Sequence, residues 1–312
     1  MSFNIVFMGT SDFAKEFLEY LYLKKNFFIK AVYTQPPRKS ERGQKINRSP
    51  VHKFAEENNI KVFCPEKLSN DDVNNLKKIN PDNLIVVSYG LIIPNQILMV
   101  PSNGAINVHA SMLPRWRGAA PIQRAILNGD ETTGISIMKI EEGLDQGPTY
   151  MQSEIEIKKN DTYQDVYNNL IDVGQSTLDK FFSIDVHLMP VRQNNSIATY
   201  AKKIKKNETQ IDFDSNAADV HNKIRAFSPK PGAWFALDSK KYKIFDSKLI
   251  SQKEISNIEI KKNLILKFKK DYLVVKKIQK EGRNILVIED FARGQAKELE
   301  NIRKKLGPSD KI

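Results

Sequence analysis

The sequence predicts an α/β protein in two parts, a helix-covered and mostly parallel sheet followed by a small β-barrel. Three observations predict it. In the first part short apolar runs alternate with helical patterns, as a parallel sheet with crossover helices requires. In the last third the pattern becomes short strands separated by turns, which suits a small barrel. Charge divides the same way. Residues 1–190 hold 21 Lys and Arg against 22 Asp and Glu, whereas residues 191–312 hold 28 against 15, so the formal net charge of +12 lies in the last third.

Taken in order, Phe3–Met8 reads as the first strand and Ser11–Tyr22 as a helix capped by Ser11. Ile29–Thr34 reads as the second strand, Ser49–Asn59 as a helix, Lys61–Phe63 as a short strand and Ser69–Ile79 as a helix. Asn83–Tyr89 is almost wholly apolar between turn signals, so it reads as a central strand buried on both faces. Gly104–His109 follows as a strand and Gly118–Gly129 as a helix closed by Gly129. Thr133–Ile140 alternates with period two and should pair with Tyr150–Ile157, before a long helix, Thr162–Phe182. The reading gives a first domain at 1–189, a polar linker at 190–207 and a basic domain at 208–312. In the last, Ala217–Phe227 reads as a helix and Lys241–Ile250, Leu264–Phe268, Tyr272–Gln279 and Asn284–Phe291 as strands.

Several function classes drop out. The turn after the first strand, Gly9–Phe13 (GTSDF), has one glycine where dinucleotide binding needs G-x-G-x-x-G. No Walker A lysine motif and no G-x-S-x-G elbow occurs, so phosphoryl transfer and serine hydrolysis lose their sequence support. A single cysteine, Cys64, excludes an internal disulfide and cysteine-rich zinc sites, and no metal is expected. The N-terminal stretch carries no basic leader and no apolar run approaches membrane length, so a cytoplasmic protein without a membrane partner is expected. The basic last third suggests a polyanion-binding module, with a lysine-rich surface from biased composition as the bland alternative.

What remains is polar residues at expected strand ends. Asn107 and His109 share one face if their strand persists through them, and Asp145 follows Thr133–Ile140. In an open α/β sheet such loops converge where ligands bind. An asparagine amide donates to an oxyanion, a histidine donates or relays a proton, and an aspartate orients that histidine. Direct transfer of an acyl-like group to an amine fits this set. From spacing alone, a histidine at a strand end is more often structural than catalytic, and a carboxylate between Gly143 and Gly147 is an ordinary loop residue.

The motifs GTSDFA, TQPPRKSERGQK, VSYGLIIP, INVHASMLPRWRGAAPIQRAI, TGISIMKIEEGLDQGP and RAFSPKPGAW occur in this order. Together they resemble the folate-dependent formyltransferases, and RWRGAAPIQRAI is similar to the branch that acts on methionyl-tRNA. The resemblance implies a Rossmann-like catalytic domain and an OB-like barrel. It also implies formyl transfer from 10-formyltetrahydrofolate to the α-amine of methionine on initiator methionyl-tRNA. Asn107, His109 and Asp145 match the catalytic residues. Ser111, Met112, Leu113 and Pro114 match a folate-site segment, and Ser88, Tyr89, Gly90, Leu91 and Ile92 its pterin-pocket strand end. Arg38, Lys39, Arg42 and Lys45 match a loop reaching the tRNA acceptor end, with a solvated basic loop as the alternative. The segment around Arg115 and Arg117 serves either the tRNA end or the shape of the site. A monomer is expected. Rival readings are a formyltransferase acting on an amino-sugar nucleotide or on glycinamide ribonucleotide, a formyltetrahydrofolate hydrolase, and a non-catalytic RNA-binding protein on the same fold.

Overall fold

The structure is a computed structural model that describes residues 2–39, 46–184, 188–255 and 263–308. Arg42 and Lys45 of the basic loop lie outside the described residues. The chain divides into two compact units. One comprises Met1–Pro121, Thr133–Ile155 and Tyr167–Lys202, and the other Ile122–Thr132, Glu156–Val166 and Lys203–Ile312.

In chain order the first part contains β1 (Phe3–Gly9), α1 (Asp12–Leu23), β2 (Phe27–Tyr33), β3 (Arg38–Lys39), β4 (Ile46–Asn47), α2 (Pro50–Glu57), β5 (Val62–Phe63), α3 (Asn70–Ile79), β6 (Asn83–Val87), α4 (Asn95–Leu98), β7 (Ala105–His109), β8 (Arg117–Gly118), α5 (Pro121–Asn128), β9 (Thr132–Lys139), β10 (Thr149–Glu156), α6 (Tyr163–Ser183) and β11 (Tyr200–Ala201). Seven of these strands make one sheet in the order β10-β9-β7-β6-β1-β2-β5. Strands β5, β2, β1, β6 and β7 run parallel, and β9 is antiparallel to β7. Strand order reverses between β1 and β6, the topological switch point at whose carboxyl edge α/β proteins bind ligands.

The expected helix signals are used. Ser11 caps α1 by accepting from the Ala14 N–H at 3.3 Å. Ser69 and Asp72 form a capping box on α3. β6 is buried along its whole length, as its apolar run requires. Val6, Met8, Leu84, Val86, Tyr33 and Tyr89 share one apolar cluster. Thr133–Ile140 behaves differently from its period-two pattern: Thr133 to Met138 are all buried, because β9 lies inside the sheet between β7 and β10. β10, at the sheet edge, shows the alternating burial.

In the second part, α7 (Ala217–Ala226), β12 (Ala233–Leu237), β13 (Lys240–Ile250), β14 (Leu264–Lys267), β15 (Tyr272–Lys280), β16 (Leu286–Val287), α8 (Ile288–Gly294) and α9 (Ala296–Leu306) follow. The strands form an antiparallel sheet in the order β12-β13-β15-β14, with β16 also paired to β15. Register shifts between Ile244 and Ser247 bend β13, the curvature that a barrel wall needs. One expectation is corrected, and one helix had not been read from the sequence. Asn284–Phe291 is not one strand: only Leu286–Val287 pairs, and Ile288 onward turns into helix with Ile288 and Phe291 buried. A further helix, α9, buries Leu299 and Ile302, three positions apart on one face.

Candidate active site at the carboxyl ends of the parallel strands

Asn107 and His109 lie two residues apart on β7, so the pleat turns both side chains to one face. Val86 pairs with Asn107 and Met138 with Asn107 on the other side, so three strands fix this position. Asp145 comes from the loop between β9 and β10.

The three side chains meet. Asn107 Nδ2 donates to Asp145 Oδ1 at 3.3 Å. His109 Nδ1 lies 3.6 Å from Asp145 Oδ2, and the same oxygen accepts the Gly118 N–H at 2.8 Å. On the far side of the ring, His109 Nε2 is 2.9 Å from the Trp116 carbonyl oxygen. A carbonyl oxygen only accepts, so Nε2 carries a proton in this arrangement. His109 is 6 % exposed. Its ring is therefore oriented by a carboxylate and a carbonyl, and the Asn107 amide keeps a second N–H beyond the one given to Asp145.

The loops around this cluster are tightly specified. Trp116 holds a φ of +61°, a backbone state that costs a bulky residue about 1–3 kcal/mol and that collects at functional sites. Asp145 holds φ +49°, which a short polar side chain tolerates better. Gly147 is required for packing: a Cβ there would meet the Lys139 carbonyl oxygen at 1.9 Å.

The Ser111–Pro114 segment is locked by its neighbours. Ser111 Oγ donates to the Arg115 carbonyl at 2.5 Å. Ser136 Oγ donates to the Ser111 carbonyl at 2.6 Å and accepts the Leu113 N–H at 3.0 Å. Gln152 Nε2 donates to the Leu113 carbonyl at 2.9 Å. Ser111 and Leu113 are buried, which leaves Met112 and Pro114 with exposed surface.

At the end of β6, Ser88 and Gly90 are exposed with φ of +45° and +82°. Tyr89 is buried, its hydroxyl has no partner among the described residues, and burial pushes its pKa up. The Tyr89 carbonyl accepts from Thr10 Oγ1 at 2.9 Å and Gln35 Nε2 at 3.1 Å, which ties β1, β2 and β6 together at this edge. Leu91 packs on the apolar cluster, while Ile92 is 92 % exposed. Arg38 is exposed and donates to Gln35 Oε1 at 2.8 Å, and Lys39 lies on β3. Among the described residues no group of His, Cys, Asp and Glu could hold a metal, and no helix is long and apolar enough to cross a membrane.

The segment read as a linker also contributes. Thr199 Oγ1 accepts the Trp116 N–H and the Thr199 carbonyl accepts the Arg117 N–H, each at 2.9 Å. Tyr200–Ala201 pair with Arg117–Gly118. Arg117 is 1 % exposed, and its guanidinium donates to Gln193 and Asn195. Of its two sequence readings, the one in which it shapes the site fits this burial. Gln193 and Asn195 carry no signal in a single sequence, since amides in a polar stretch look like solvated chain.

The Formyl transferase family matches residues 3–181, and the Formyl transferase C-terminal domain matches residues 203–296. A methionyl-tRNA formyltransferase of Wolbachia sp. subsp. Drosophila simulans is 41 % identical over 293 residues, 93 % of this chain and 96 % of the relative. That of Pelagibacter ubique is 41 % identical over 299 residues, 94 % of this chain and 96 % of the relative. The chain belongs to the methionyl-tRNA formyltransferase family. The fold of this family member is shared by solved structures at lower identity. An N-formyltransferase from Helicobacter canadensis, in complex with folinic acid and dTDP-3-aminofucose, has a TM-score of 0.63 at 23 % identity and covers 90 % of this chain and 100 % of its own. HypX from Aquifex aeolicus, in complex with tetrahydrofolic acid, has a TM-score of 0.58 at 14 % identity and covers 98 % of this chain and 48 % of its own.

Proposed function

We propose that the protein transfers the formyl group of 10-formyltetrahydrofolate to the α-amine of methionine on initiator methionyl-tRNA, yielding formylmethionyl-tRNA for translation initiation in the cytoplasm. The observation that carries this reading is the meeting of Asn107, His109 and Asp145 at the strand ends. They meet in a chain whose near-full-length relatives are named for that activity.

In the reaction the amine attacks the formyl carbon, negative charge builds on the formyl oxygen, N10 of the folate leaves, and the proton lost by the amine is balanced at N10. Asn107 offers its second amide N–H to the developing oxyanion. His109 supplies the second donor by giving its Nε2–H to the formyl oxygen in place of the Trp116 carbonyl, and it moves the proton, while Asp145 on the Nδ1 side holds the ring in the orientation this needs. The folate donor is a substrate whose flat, edge-functional ring suits the β6 end. Support comes from the exposed backbone at Ser88 and Gly90, and from the apolar surface of Leu91, Ile92 and Met112. A Cβ on Gly90 would come within 2.4 Å of Gln35 Nε2. Residues 1–189 act as the catalytic domain. Residues 208–312 act as the tRNA-binding domain of a monomer, with Arg38, Lys39, Arg42 and Lys45 reaching the acceptor end.

Purified protein given 10-formyltetrahydrofolate and methionyl initiator tRNA is expected to make formylmethionyl-tRNA, and to leave an amino-sugar nucleotide unformylated. The reading is overturned if the protein binds that tRNA but makes no product. Asn107→Ala and His109→Ala are expected to lower kcat about 10²–10³-fold, with tRNA affinity held within a few fold. Affinity should fall steeply between 50 and 200 mM salt, as phosphate contacts by the basic domain require. A flat salt response would remove the role given to its lysines.

A further inference from the structure

Asp145 sits on a loop, and its place depends on bonds from a distant stretch of chain. Gln193 lies between the two regions that match the family domains. Its Nε2 donates to the main-chain oxygens of Asp145, at 2.9 Å, and Gly147, at 2.6 Å. Its Oε1 accepts from Arg117 Nε at 3.0 Å and Nη2 at 2.8 Å, and Nη2 also donates to Asn195 Oδ1 at 2.8 Å. A guanidinium has donors only, so the amide atom facing it must be the oxygen. That choice turns both amide N–H groups toward the Asp145 loop. Among the described residues the guanidinium of Arg117 meets neutral oxygens and no carboxylate. A carboxylate at position 193 would satisfy the cation but would hold nothing on its other side. Only an amide faces a cation and two carbonyl oxygens at once.

We infer that Gln193, oriented by Arg117, is a positioning residue for Asp145. It fixes the loop from which that carboxylate reaches Asn107, His109 and the Gly118 N–H. The inference rests on the role given to Asp145 in the proposed formyl transfer.

Gln193→Glu keeps the acceptor for Arg117 and loses both donors to the loop. It is expected to lower kcat about tenfold or more, with KM for both substrates within threefold and initiator-tRNA affinity unchanged. In an Asp145→Asn background the same change should lower kcat less than twofold, because the residue it acts through is already gone. Wild-type kcat in Gln193→Glu overturns the inference, as does an equal loss in both backgrounds. Should Gln193→Glu not fold, Gln193→Met, neutral and without either donor, is read by the same criteria. Asp145→Asn alone at wild-type turnover overturns the reading of Asp145 itself. An impaired Asp145→Asn beside an unimpaired Gln193→Glu overturns this inference only.

Discussion

Arg117 and Glu298 are both charged side chains bound by several polar groups, and they are held on opposite plans. Arg117, 1 % exposed, gives its hydrogen bonds to two neutral amides. Glu298 on α9, 19 % exposed at its side chain, accepts from Lys240 at 2.8 Å, Lys280 at 2.7 Å and the Tyr242 hydroxyl at 2.5 Å. The difference teaches what each cluster is for. Two cations around a carboxylate attract from any direction and simply pin a helix to a sheet. Neutral amides around a buried cation attract only when their oxygens face it, so the cation dictates which way each amide points. Orientation is the product in the first cluster, and attachment in the second.

The comparison breaks most easily at Arg117. Arg117→Met fills similar space but leaves Gln193 Oε1, on a half-buried residue, and Asn195 Oδ1, on an exposed one, without their donor. An unpaired buried acceptor costs about 1–3 kcal/mol, whereas the exposed amide turns to water. A loss of about 2 kcal/mol in urea unfolding is expected, with little dependence on salt. A loss below about 1 kcal/mol would mean that the two amides find other donors, and that the guanidinium does not set their direction.

The same contrast explains what the sequence could show. Asn107 and His109 were legible because a strand of period two puts residues two apart on one face, and the apolar run ending at His109 marks the strand. The parallel sheet with crossover helices was legible from the strand and helix alternation, whereas its strand order, and with it the switch point between β1 and β6, came only from the structure. Asp145 depended on the resemblance, since a carboxylate between two glycines is ordinary loop chemistry. Arg117 carried two readings in the sequence, the tRNA end or the shape of the site, and nothing there decided between them, since its contacts are with Gln193 and Asn195, 76 and 78 positions away. The groups that orient His109 and Asp145 from the 116–118 loop are the Trp116 carbonyl and the Gly118 N–H. Every residue has such main-chain groups, so residue type cannot announce them. In the second part, Asn284–Phe291 misled because a short apolar run suits a strand and a buried helix turn equally. α9 was missed because it buries only Leu299 and Ile302.

Glu298 gives the smaller and opposite effect. The Lys240 and Lys280 ammoniums, with the Tyr242 hydroxyl, hold its carboxyl down at about 2, below an unfolded value of about 4.3. A depressed folded pKa means that the charged form favours the fold. The contribution is therefore complete above about pH 5 and is lost as pH falls from about 4 through 2. Glu298→Gln is expected to cost about 1 kcal/mol at pH 7 in low salt, the scale of a partly exposed ion-pair network. The gap from wild type should shrink in 0.5 M salt and close near pH 2. The Arg117→Met gap should persist in 0.5 M salt, because fixed dipoles around a buried guanidinium are screened far less. Equal salt sensitivity of the two gaps, read from paired urea titrations, would show that both clusters act by simple attraction and would remove the distinction between orientation and attachment.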